Sequence, residues 1–149
     1  MEWNTDKSVK LTKACIYVFM AALLAADAAG PLWMPWYCSL SAMKDSSLPY
    51  FCLTLYSASV FGWICLWSLK KLLSAISRGD VFTQSNTAML RRISWCCAGA
   101  CFVFLAAVLY YRPFLIVSAA AGFMMLIVRV IKNVFEQAIG MKTELDLTV

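Results

Sequence analysis

The residues able to do chemistry in this chain are few. There is no histidine among its 149 residues, which removes the commonest zinc ligand and the usual proton shuttle. Seven cysteines remain, an odd number, so within one chain at least one stays unpaired. Cys96, Cys97 and Cys101 sit close in sequence and bring thiol redox chemistry to mind, as in a membrane thiol oxidoreductase. Yet the chain contains no C-x-x-C, and cysteine inside an apolar segment behaves as a small apolar residue. Cys38 and Cys52 form the pair expected on the outer side, where an oxidising envelope would allow a disulfide. Asp27 and Arg112 are each expected near the outer end of a span, reaching interfacial water; an ion pair between them is the alternative, and a wet pair adds only about 0–1 kcal/mol. No acidic residue is expected at mid-bilayer. The sequence therefore reads as a non-enzyme, with no cofactor or metal motif.

These residues are set in an oily frame. Hydrophobic residues make up 62% of the chain and charged ones 14%, against roughly 45–50% and about 25% in soluble domains. A soluble fold of this length needs a polar surface that the composition does not supply; a bilayer removes that need. Four apolar runs are expected to span, at about 14–30, 50–69, 93–111 and 114–131. At about 1.5 Å rise per residue, each covers most or all of a hydrocarbon core of about 30 Å. The basic start and Ala26-Asp27-Ala28 also resemble a signal peptide, but the first run is nearly long enough to span and is read as retained. Pro31 and Pro35 are expected to break the first helix and open an outer loop carrying Trp33, Trp36 and Tyr37 at the membrane surface. Ala21, Ala25 and Ala29, and Ala22, Ala26 and Gly30, form small-residue stripes, as do Ser118 and Gly122.

The polar interruption at 70–92 is the centre of the design. It holds five of the thirteen basic residues, Lys70, Lys71, Arg78, Arg91 and Arg92. Leu69, Leu72, Leu73 and Ile76 keep helical spacing, so the second helix is expected to extend as an amphipathic segment at or just below the inner surface. Gly79 is the expected stop. Thr83 is the expected cap of the third helix, through its hydroxyl and with Val81 and Phe82 packing ahead of it. The fourth helix is expected to run on towards Gly140, with Lys132 and Glu136 at i, i+4. Leu145, Leu147 and Val149 then alternate with polar residues as an extended ending. With both termini inside, eleven basic residues fall on the inner side and Lys44 and Arg112 outside, a positive-inside pattern.

The expected fold is therefore all-α: one transmembrane domain, a four-helix bundle in a bacterial inner membrane, with the loop 70–92 and the tail 132–149 cytoplasmic. Direct nucleic-acid binding is not expected, because membrane orientation accounts for the charge. The same rule does not account for the G-D-V-F-T-x-x-N pattern at 79–86 or for an acidic tail on the same side. Phe82, Thr83, Asn86, Arg91, Arg92, Glu136, Glu144 and Asp146 are therefore the candidate partner-binding residues, with Arg91 and Arg92 expected to face Glu136, Glu144 or Asp146.

Three stretches also carry a family likeness. They are Arg78-Gly79-Asp80-Val81-Phe82-Thr83 with Asn86 and Leu90 to Cys97, then Val130 to Phe135 with Glu136 and Ala138, and last the acidic ending from Glu144 to Val149. Through them the chain resembles a bacterial family of small four-span membrane proteins known only as a domain of unknown function, whose members often look like neighbours of small helix-turn-helix regulators. The resemblance brings no activity with it. It implies a membrane protein that holds or senses for a cytoplasmic regulator. The alternative is an accessory or immunity-type subunit that packs against a membrane transporter or peptide through its spans; self-association or contact with another membrane protein is a further expectation.

Overall fold

A computed structural model describes residues 5–40, 48–79 and 83–147. It contains four helices: α1 (Thr5–Leu40), α2 (Leu48–Ser77), α3 (Gln84–Ala107) and α4 (Phe114–Leu147). All four are long and apolar enough to cross a membrane. Their surface is that of a protein built for lipid. Leu109 and Leu32 are 93% and 82% exposed, while Thr54, Ser59, Ser68, Asn86, Thr87, Ser94 and Ser118 are buried. Small polar residues inside and apolar residues outside is the arrangement helices adopt when the solvent is hydrocarbon.

Each helix packs on its neighbour in the chain. The α3–α4 contact is the most extensive, followed by α2–α3 and α1–α2, and one further pair touches marginally. Residues 108–113 make the short turn that forces α3 and α4 to be antiparallel neighbours. Ser118 and Gly122 let them close: Ser118 Oγ donates to the Cys101 carbonyl at 3.0 Å, and a Cβ on Gly122 would lie 3.4 Å from Cys101 Sγ.

Two separate cores hold the ends. At the end carrying Arg112, Met34, Phe51, Ala107 and Phe114 are buried beneath Trp33, Tyr37, Tyr110 and Tyr111. At the opposite, basic end, Leu72, Leu90 and Ile93 are buried against Ile76, Met89 and Phe135. The expected amphipathic extension of α2 is helical. Its apolar face is used against α3, where Leu72 meets Leu90 and Ile93. Gly79 ends the segment at φ +88° as expected, a conformation that costs glycine nothing.

Two expectations about helix ends fail. The extended ending is instead helix as far as Leu147; Thr148 and Val149 lie outside the described residues. Pro31 and Pro35 lie inside α1, which continues to Leu40. Proline removes an N–H and so frees the carbonyl four residues earlier. For Pro31 that carbonyl belongs to Asp27, and the Tyr56 hydroxyl of α2 donates to it at 3.2 Å. A neighbouring helix thus satisfies what the proline leaves open, the condition under which membrane helices tolerate proline. Tyr56→Phe is expected to cost about 0.5–1.5 kcal/mol in the wild type and close to nothing in a Pro31→Ala background, where the backbone N–H returns. Thermal unfolding of the four proteins of that cycle in detergent measures the coupling.

Candidate functional site

The residues expected to meet a partner fall at the basic end. Thr83 is the N-cap of α3 by backbone geometry, but its hydroxyl makes no capping bond. The turn closes instead through the Thr83 carbonyl, which accepts from the N–H of Asn86 at 3.0 Å and of Thr87 at 3.4 Å. Asn86 is fully buried, so its side chain serves the packing of the turn rather than an outer surface. Arg91 and Arg92 are exposed at the start of α3. Glu136 is exposed on α4 and pairs with Lys132 of its own helix at 2.8 Å. The expected bridge from Arg91 or Arg92 to Glu136 does not form. Glu144 is exposed on the last turns of α4. Phe82 and the side chain of Asp146 lie outside the described residues.

What Arg91 faces instead is other cations. Arg91, Arg129 and Lys132 line a groove of about 100 Å³ with Ser94, Trp95 and Met125. Lys13 of α1 donates to Ser77 Oγ of α2 at 3.3 Å, and Lys70 Nζ lies 4.9 Å from the centre of the Tyr17 ring. These contacts bring the basic residues of all four helices to one end, a distribution that suits an anionic surface.

A second site lies midway between the two cores. A cleft of about 550 Å³ opens between α1 and the other three helices. Its wall is apolar, with Leu23, Leu55, Phe61, Phe104 and Met124 among the lining residues, and Asp27 is the charged group in it. Asp27 Oδ2 accepts from Ser59 Oγ at 2.6 Å and from Trp63 Nε1 at 3.0 Å. Ser59 and Trp63 are four residues apart, so they share one face of α2. Both lie within the charge-free run from Leu48 to Leu69, Ser59 at its middle. The Asp27 carboxylate is thus level with the middle of that run and bonded to α2. Among the described residues no Lys or Arg pairs with it, Arg112 included.

Cys65 and Cys97 side chains meet beside the cleft, which Cys96 also lines. The described cysteines, Cys52 and Cys101 among them, are free thiols; the side chain of Cys38 lies outside the described residues. Among the described residues no group of acidic or cysteine side chains is placed to hold a metal ion.

Residues 19–149 match the family described as protein of unknown function (DUF2975). The chain belongs to the DUF2975 family. No curated protein and no solved structure matches it. The family match takes in both sites, the DUF2975 region running from within α1 through the basic end to the tail. The carboxylate cleft of this DUF2975 protein was not legible as a site beforehand. One signal was present: Pro31 stands four residues after Asp27, which marks a freed carbonyl and a carboxylate on neighbouring turns of a membrane helix.

Proposed function

We propose that this DUF2975 protein is a non-enzymatic regulatory or scaffold protein of the bacterial inner membrane, with both termini inside. It binds a cytoplasmic partner through the connection between α2 and α3 and through the end of α4. The observation that carries this reading is the second core. Leu72, Leu90 and Ile93, with Phe135 against them, tie the ends of α2, α3 and α4 into one ordered platform. Charges that served only to orient the chain would need no such core beneath them. Arg92 is exposed beside this platform, and Glu144 is exposed further along α4. A small helix-turn-helix regulator is the partner class that the family resemblance implies. Binding would act by population: a partner that prefers one arrangement of the helix ends shifts the spans towards it.

A second reading is favoured by α1. Ala21, Ala25 and Ala29 are exposed along one stripe of it, a face suited to close approach by another membrane helix. The chain would then be an accessory or immunity-type subunit of another membrane protein. Photo-crosslinking residues placed singly at Arg92, Glu144 and Ala25 separate the two. The expected result is one soluble protein captured from both Arg92 and Glu144, with capture lost on Arg91→Glu. Capture of an integral membrane protein from Ala25 alone replaces the regulator with the accessory subunit.

A further inference from the structure

We infer that the cleft at Asp27 is a binding site for a lipophilic monocation, whose ammonium group pairs with the carboxylate while its apolar body fills the space between α1 and α3–α4. The inference is independent of the partner-binding reading and stands or falls apart from it.

A carboxylate within a membrane-spanning layer is costly and is retained where it pairs with charge or serves a site. Asp27 Oδ2 is held by two donors from α2, Ser59 and Trp63. That fixes the group in orientation and leaves Oδ1 without a donor among the described residues. The cleft beside it measures about 550 Å³, within the roughly 300–1,000 Å³ of small-molecule sites, which are mostly apolar with a few placed polar groups. Trp33, Tyr56 and Phe104 line the same cleft; aromatic faces attract cations, more strongly when desolvated. The position of the carboxylate selects the ligand's charge, and the lining selects an apolar body. A neutral lipid chain would be indifferent to Asp27, and an anion would be repelled by it.

The test uses the full chain in nanodiscs of zwitterionic lipid, with dansylcadaverine as probe. It is a primary ammonium on an aromatic body, and the dansyl group accepts tryptophan emission. Its N-acetylated twin keeps the body and loses the charge. Saturable energy transfer, corrected for empty nanodiscs, reads binding. Expected is saturable binding of the amine that is weakened at least about tenfold by Asp27→Asn, the loss that follows when a hydrogen-bonded charge pair is truncated. The acetylated probe is expected to bind wild-type protein equally poorly. Ala121→Trp, which fills the cleft from α4 and leaves Asp27 in place, is expected to abolish binding. Equal binding of both probes to the wild-type protein overturns the inference and assigns the cleft to acyl chains or a second copy's helix. Absence of saturable binding to the wild type overturns it as well. Because the acetylated twin is tested on wild-type protein, the outcome does not depend on the variants folding.

Discussion

Replacing Phe51 with Ala is expected to destabilise the protein by about 3–5 kcal/mol, the cost of emptying a large aromatic site in a packed core. Phe51 is 3% exposed and is the point where all four chain segments at that end meet. Its ring stacks on Tyr37 of α1 and on Phe114 of α4, each at 5.7 Å, and meets the edge of Tyr111 in the α3–α4 turn at 6.2 Å. Such ring pairs are each worth about 0.5–1.5 kcal/mol beyond area. The hydroxyls of Tyr37 and Tyr111 bond each other at 2.9 Å around the same ring, so the loss of Phe51 also loosens a polar contact between α1 and the turn. Unfolding by SDS in mixed micelles, followed by circular dichroism, reads the change. Phe51→Leu, which keeps most of the volume, should cost much less. A loss below about 1 kcal/mol for the alanine variant would be that of a surface position, and would mean that α1 is not anchored by this core.

Gly99→Val carries the second large effect and acts in the opposite sense, by adding atoms. A Cβ at Gly99 would lie 2.5 Å from Phe61 Cε1 and 2.8 Å from Cζ, so the ring must move before even a methyl group fits. Overpacking of this kind costs about 1–3 kcal/mol. Phe61 also lines the Asp27 cleft, so moving its ring changes the wall of that space. The variant is therefore expected both to unfold earlier and to bind dansylcadaverine more weakly. Phe61→Ala should rescue it, with a coupling of about 0.5–3 kcal/mol between the two positions. If Gly99→Val is as stable alone as it is with Phe61→Ala, α2 and α3 do not approach as closely as the structure places them.

The aromatic core illustrates how far the sequence could be read. Tyr37, Phe51, Tyr111 and Phe114 were each recognisable as residues near the ends of spans. That they form one cluster depends on helix rotation, and rotation was not legible. In a soluble helix the apolar stripe marks the inner face. Here α1 and α4 are apolar all round, since lipid and protein neighbours are equally oily, and the period carries little information. The same reason hid the cleft. Asp27 was visible as a carboxylate in an apolar run, but its donors Ser59 and Trp63 lie more than thirty residues away, and nothing local says which helix α1 will pack against. The prolines misled for a related reason. Locally they break a helix; only a hydroxyl from α2 makes the freed Asp27 carbonyl tolerable.

The sequence by itself determined the class of this protein: four apolar helices, their order, the basic residues gathered towards one end, the stop at Gly79 and the tight α3–α4 turn. Each of these follows from local chemistry, the length of an apolar run, the sign of a charge or the φ a glycine permits. Only the tertiary structure decided that α1 continues through Pro31 and Pro35, that Arg91 joins Arg129 and Lys132 rather than Glu136, and that Asp27 is held by α2 at the wall of an open cleft. Those outcomes depend on which faces of the helices meet, and in a membrane the hydrophobic pattern that would announce those faces is absent.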